Sequence, residues 1–253
     1  MIKIAVSGAC GKMGSLIIQN AAAAKDMKLV AAFDVVEICK TGSVKISSPK
    51  DMDAVLRKTK PDVLVDFTVA DATVENIKAG VRNKVNLVVG TTGFSTEQSK
   101  EIKRVVGKNV AAVISPNFSV GVNIFWKLIE LATPYLRDCD VEIIEAHHRM
   151  KKDAPSGTAL HAARIVADIK KAKLIYGRQG VSPRGNEVCV HAIRGGDVFG
   201  EHTIFYAGDG ERVEITHRLH SRQALASGAL VAARWVVGAE KGVHSMKEVL
   251  GLS

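Results

Sequence analysis

An α/β fold in two domains is what this sequence predicts, and three observations carry the prediction. Short apolar strands alternate with amphipathic helices as far as residue 118. A glycine-rich turn, Gly8-Ala9-Cys10-Gly11-Lys12-Met13-Gly14, stands at the first strand-to-helix junction. Later in the chain, strand-like segments cluster around glycine–aspartate turns. Alternation predicts a parallel sheet with helices on both faces, and clustering predicts a separate α+β domain. A length of 253 residues allows two modest domains, and 47% hydrophobic content is that of a chain with a real core. No apolar run is long enough to cross a bilayer, and no charged-then-apolar leader begins at Met1, so no membrane partner is expected.

The first strand covers residues 2–6 and an alanine-rich helix covers 15–24, with the glycine turn between them. Glycine lets a backbone approach a pyrophosphate, and the helix N-terminus stabilises its negative charge. The first domain is therefore expected to be of the Rossmann, dinucleotide-binding type, with Gly8, Ala9, Cys10, Gly11, Lys12 and Met13 at the phosphates. Cys10 stands where the second glycine of the common fingerprint is usual. The second strand, 29–33, ends at Asp34, twenty residues after Gly14. An acid there accepts hydrogen bonds from the adenosine ribose hydroxyls. The alternative is a strand-end aspartate that starts a turn. Val35 and Val36 follow, with no arginine to meet a 2′-phosphate.

The rhythm continues with strands at 63–67, 86–89 and 110–114 and helices at 71–82 and 95–106. Ligands of such sheets lie at the carboxyl ends of the strands. Gly90-Thr91-Thr92 and Ser115-Pro116-Asn117-Phe118 sit at two such ends, where ordinary turns are the competing reading. A helix at 124–136 opens the second domain, and a strand at 141–144 follows. Pro155 stops any earlier helix, Ser156 is an N-cap candidate, and an amphipathic helix runs from 160. Residues 175–186 read as loop. Strands are expected at 188–194, 201–207 and 212–218, with Gly195-Gly196-Asp197 and Gly208-Asp209-Gly210 as hairpin turns. A last helix spans 223–241.

Cys10, Cys39, Cys139 and Cys189 show neither metal-ligand nor disulfide spacing, so buried thiols in a reducing cytoplasm and no metal site are expected. A net charge of +9 and a pI near 9.4 admit nucleic acid or small anions as partners. The basic residues are dispersed, no nucleic-acid motif accompanies them, and one local cluster stands at Arg149, Lys151 and Lys152. That favours a small anionic ligand, a dicarboxylate or a dinucleotide, and no nucleic acid.

The cluster lies in the most informative stretch of the chain, 142–159, which joins a strand to a helix. It sets His147, His148 and Lys151 opposite a helix start whose amides suit an anion: a carboxylate cradle beside a proton donor. The residues Glu142, Ile143, Glu145, His147, Lys151, Asp153 and Pro155-Ser156-Gly157-Thr158-Ala159 fill every fixed position of a known signature. The stretch thereby resembles the 4-hydroxy-tetrahydrodipicolinate reductase (dihydrodipicolinate reductase) family of lysine and diaminopimelate biosynthesis.

The resemblance implies an NAD(P)H-dependent oxidoreductase that reduces a cyclic dicarboxylate imine. It implies His147 as general acid/base and Lys151 as the second catalytic residue, with His148, Gly157 and Thr158 at the substrate and Ser156 as contact or cap. It implies that Gly90, Thr91 and Thr92 and Ser115, Pro116, Asn117 and Phe118 line the nicotinamide end of the cofactor. Family members that use NADPH well often carry a basic residue just after the acid at Asp34, so NADH is expected to be preferred, with Lys40 keeping NADPH possible. The cofactor domain would be discontinuous, 1–118 with 232–253, around a substrate and oligomerisation domain at 119–231. A cytoplasmic homotetramer is the implied assembly. The rival readings are another two-domain amino- or imino-acid dehydrogenase and a non-catalytic nucleotide- or nucleic-acid-binding protein.

Overall fold

The computed structural model describes residues 1–36 and 41–252; Cys39 and Lys40 lie outside the described residues. In chain order the elements are β1 (Ile2–Ser7), α1 (Lys12–Ala23), β2 (Met27–Phe33), β3 (Ile46–Ser47), a 3-10 turn (Pro49–Asp51), α2 (Met52–Thr59), β4 (Val63–Asp66), α3 (Ala70–Arg82), β5 (Asn86–Val89), α4 (Thr96–Val106) and β6 (Ala111–Ile114). They continue with α5 (Val120–Ala132), β7 (Asp140–His147), α6 (Gly157–Lys170), β8 (Lys173–Tyr176), β9 (Glu187–Arg194), β10 (Gly200–Gly208), β11 (Glu211–Leu219), α7 (Gln223–Val236), β12 (Gly242–His244) and α8 (Met246–Val249).

The chain divides into two compact units, Met1–Val120 with Gln223–Ser253, and Gly121–Arg222. The first holds a parallel sheet in the order β12-β6-β5-β4-β1-β2-β3. Its strands are buried on both faces because successive side chains alternate. Ile4, Val6, Val63 and Val65 pack on one side with α1 and α7, and Ala5 and Leu64 pack on the other with α2, α3 and α4. The return to this unit falls at Gln223, not at 232. Ala226, Ala229, Ala232 and Ala233 are fully buried in the first core, and a Cβ on Gly228 would stand 1.7 Å from the Phe118 carbonyl oxygen. Small residues let the helix meet that backbone from its first turns. α7 also ends at Val236 rather than 241, and β12 pairs with β6 just beyond it.

The second unit is a mixed sheet in the order β11-β10-β7-β9-β8, backed on one face by α5 and α6. Gly208-Asp209-Gly210 is a hairpin turn, since Gly208 pairs with Glu211. Gly195-Gly196-Asp197 is not. β7 lies between β9 and β10, parallel to the first and antiparallel to the second. The glycines instead bridge the end of β7, where the Gly195 amide donates to the His147 carbonyl (3.0 Å) and the Arg149 amide to the Gly196 carbonyl (3.2 Å). Residues 173–176 form β8 on the sheet edge, within the stretch whose polarity predicts loop from 175.

Candidate active site

In the first unit the glycine turn closes tightly on its neighbours. Gly8 has φ +76°, a region that favours glycine, and a Cβ there would lie 2.7 Å from the Phe67 carbonyl oxygen. A Cβ on Gly14 would meet the Gly8 carbonyl oxygen at 2.0 Å, so α1 can approach the loop only with glycine at that position. The Gly8 and Ala9 amides donate to the Phe33 carbonyl, and the Gly11 amide donates back to Gly8 (3.0 Å). Lys12 and Met13 open α1, whose first turn carries no acid. Such a cradle of backbone at a helix N-terminus fits the pyrophosphate of a dinucleotide.

Asp34 ends β2. One of its carboxylate oxygens accepts from the Cys10 amide (2.8 Å) and the other from the Val36 amide (3.1 Å). It thus ties the glycine turn to the segment after β2 and keeps acceptor capacity for further donors. Among the described residues Cys139 and Cys189 are free thiols, Cys189 being buried.

The ends of β4, β5 and β6 lie side by side. Asp66, buried at the end of β4, accepts from the Thr68 amide and hydroxyl, the Thr73 and Thr91 hydroxyls and the Asn76 amide group. Thr91 in turn accepts from the Thr68 amide (3.1 Å). A Cβ on Gly90 would strike the Phe67 ring at 2.0 Å, and that ring packs against Phe118 with centroids 5.6 Å apart. Ser115 is buried, its hydroxyl donating to the Asn117 carbonyl (2.9 Å), while Pro116 and Thr92 are exposed. The two candidate nicotinamide segments therefore share one carboxyl edge, with Asp66 as an organiser that sequence reasoning passed over.

In the second unit His147 is the last residue of β7. Its Nδ1 lies 2.6 Å from Glu145, whose carboxylate is fully buried. Glu145 also accepts both Nη groups of Arg194 (2.9 and 2.8 Å) and the Ser156 amide (2.9 Å). Burial raises its carboxyl pKa, but the bonds from His147, Arg194 and Ser156 outweigh burial and hold it at about 2. An ionised carboxylate only accepts, so the His147 Nδ1 carries a proton and Nε2 is the atom left for exchange. Gly200 makes room for that edge of the ring, since a Cβ there would stand 3.0 Å from Nε2.

His202 packs edge-on against His147 with ring centroids 5.1 Å apart. Burial depresses it to about 3, so it stays neutral beside the exchanging ring. Its Nε2 meets the Ser156 hydroxyl at 3.1 Å. Ser156 caps α6 as the sequence predicts, accepting from the Ala159 amide. Because the Ser156 and Ala159 amides are thus engaged, fewer amides are open to an anion than the sequence alone implies. Gly157 is exposed with open space around it, and the Thr158 carbonyl accepts from the Trp126 indole (3.1 Å). Lys151 pairs with Asp153 (2.9 Å) and its amide donates to the His148 carbonyl (3.0 Å), which folds His148 and Lys151 into one turn.

Glu145, Arg194 and His202 received no role from the sequence. Only Glu145 carried a signal, because residues two apart on a strand share a face. Glu142, Cys189 and His191 also come together, but Arg178 and Arg184 already pair with Glu142.

Known proteins resemble this chain along nearly its whole length. The family pattern described as dihydrodipicolinate reductase, N-terminus, matches residues 2–118, and that described as dihydrodipicolinate reductase, C-terminus, matches 121–250. A 4-hydroxy-tetrahydrodipicolinate reductase of Methanosarcina mazei is 52% identical over 263 aligned residues, with both chains covered in full. One of Methanocaldococcus jannaschii is 49% identical, with 100% of this chain and 98% of the relative covered. The solved structure of a dipicolinate-bound dihydrodipicolinate reductase from Paenisporosarcina sp. TG-14 superposes with a TM-score of 0.83 at 28% identity, over 98% of each chain. With both halves matched, and with His147 and Ser156 of the signature bonded to one buried carboxylate, the chain belongs to the dihydrodipicolinate reductase family.

Proposed function

We propose that this chain reduces 4-hydroxy-tetrahydrodipicolinate, by way of dihydrodipicolinate, to tetrahydrodipicolinate with NAD(P)H in lysine and diaminopimelate biosynthesis. The observation that carries the reading is His147, fixed by Glu145, next to the Ser156-capped helix start. Nothing favours a different dehydrogenase or a non-catalytic binding protein. When bound, the nicotinamide supplies the hydride. His147 gives a proton from Nε2 to the reducing ring, a task for which an imidazole held in place is suited. Lys151 sets an ammonium beside the imine and a carboxylate. His148, Gly157 and Thr158 hold the substrate's carboxylates, with Ser156 keeping the helix start in place. A small dicarboxylate is the ligand class, as the dipicolinate-bound relative supports.

Gly8, Ala9, Cys10, Gly11, Lys12 and Met13 hold the pyrophosphate, Asp34 the ribose, and Gly90, Thr91, Thr92, Ser115, Pro116, Asn117 and Phe118 the nicotinamide end. NADH is the preferred form. Support comes from the acid at Asp34 and from the exposed, uncharged Val35 and Val36 after it. NADPH use depends on Lys40, which lies outside the described residues. A cytoplasmic homotetramer assembled through the second unit completes the proposal, supported by the family resemblance and tested by light scattering.

The decisive assay is loss of nicotinamide absorbance when NADH meets freshly made product of dihydrodipicolinate synthase; absence of turnover by folded protein sinks the reading. For the cofactor, kcat/KM is measured with NADH and NADPH in wild type, Val35→Arg and Asp34→Ala. Val35→Arg improves NADPH use because a guanidinium pairs with phosphate. Asp34→Ala harms NADH more than NADPH. A wild type that strongly prefers NADPH, with both cofactors harmed alike in Asp34→Ala, would make Asp34 only a turn residue.

A further inference from the structure

We infer that Glu145 is a positioning residue that ties the proton-exchanging His147 to the helix start receiving the substrate; the inference rests on the reaction proposed above. Its carboxylate is fully buried and accepts four hydrogen bonds. They come from His147 on the same strand, from Ser156 at the cap of α6, and twice from Arg194 on β9. Three elements thus converge on two oxygen atoms.

Arg194 is not a spare cation for a carboxylate ligand. Its Nη atoms also donate to the Ile193 and Asp153 carbonyls (both 2.6 Å), and its Nε is buried without a partner. Its charge neutralises Glu145 and fixes both oxygens in one plane.

Stability alone does not account for such a group. A buried ion pair costs about as much desolvation as it returns in attraction, and apolar replacements of equal volume are often as stable. Apolar residues cannot hold one imidazole tautomer, nor set the distance between an acid and an anion-binding helix start. Glu145 does both, because the Ser156 amide it accepts lies one residue before α6 and the ring it accepts is His147 itself.

The test combines spectroscopy and kinetics. Nitrogen-15 histidine NMR of the wild type, at a pH where His147 is neutral and with the His147→Gln spectrum for assignment, is expected to show the Nδ1–H tautomer. Glu145→Gln is expected to lower kcat per folded enzyme about 10–100-fold, the scale of a reacting group misplaced by about an ångström. Dipicolinate binding should weaken about 10-fold, and NADH binding should stay within about twofold. Glu145→Asp keeps the charge but not the reach and is expected to remain impaired. An Nε2–H tautomer in the wild type overturns the inference, whether or not the variants fold. So does a folded Glu145→Gln with wild-type kcat and dipicolinate affinity. Failure of the wild type to oxidise NADH would instead sink the proposed reaction, while the tautomer and dipicolinate binding would still report on Glu145.

Discussion

His202 and Glu145 meet at Ser156, and together they give the fold an acid limit. His202 is depressed by burial from 6.5 to about 3, so on acidification the unfolded chain takes that proton first and stability starts to fall below pH 6.5. His217, depressed in the same direction by burial, adds to this stage. Glu145 is held at about 2 against 4.5 when unfolded, so its contribution is intact above pH 4.5 and is lost as pH falls towards 2. Tm is therefore expected to decline in two stages, and His202→Asn should flatten the stage between pH 6.5 and 4.5. Thermal melts across pH check this, and equal slopes for wild type and variant would place the acid sensitivity elsewhere. His147→Gln addresses chemistry instead. It is expected to cut kcat by about 100-fold, the usual scale of general acid catalysis, with NADH binding unchanged. Near-normal kcat in the folded variant would remove His147 from the proton-transfer role.

Strand β10 presses on the end of β7 at one point, where Gly200 faces the His147 ring. A methyl group there would sit 3.0 Å from Nε2 and 3.3 Å from Cδ2, tighter than most packed contacts, so the ring must give by a few tenths of an ångström. Gly200→Ala is expected to lower kcat about 10-fold with little change in Tm, because the displaced atom is the one that exchanges the proton. Unchanged kcat with normal folding would show that this edge of His147 is not in use. Elements with strong periodicity are legible in the amino-acid sequence: β1, β4 and β5 as buried apolar runs, α3 and α4 as amphipathic helices, and the Ser156 cap. Elements too short to show a period are not, as with β3, β12 and α8. Pairing is the larger gap. Gly195-Gly196-Asp197 has hairpin chemistry, yet β7 separates the strands it joins, and strand order depends on contacts that local sequence does not encode. For the same reason Arg194, 49 residues from Glu145, leaves no trace beside His147 in the sequence. Asp66 is likewise visible there only as a strand end, because its donors come from Thr68 in the next loop, Thr73 and Asn76 on α3, and Thr91 after β5.

At the scale of the whole molecule the chain carries +9, and its proposed ligands are all anions. Dispersed positive charge raises the local concentration of a dicarboxylate and speeds its arrival, without forming specific contacts. Arg149 and Lys152 fit that role better than catalysis, being exposed beside Lys151 in the loop after β7. Such attraction acts over the Debye length, which shrinks from about 30 Å at 0.01 M salt to about 3 Å at 1 M. Raising salt across that range is therefore expected to lower kcat/KM for the dicarboxylate by about 3–10-fold while leaving kcat nearly constant, because a saturated site no longer depends on encounter. Arg149→Ala with Lys152→Ala should reduce the salt sensitivity while preserving kcat. A nucleic-acid-binding protein of the same charge would behave differently. Its affinity for DNA would be measurable at low salt and fall by orders of magnitude as salt rises, since each neutralised phosphate releases counterions. Measuring turnover and DNA retention over one salt series separates the two. Salt-independent kcat/KM, or DNA binding that survives physiological salt, would mean that the basic surface serves something other than its small anionic substrate.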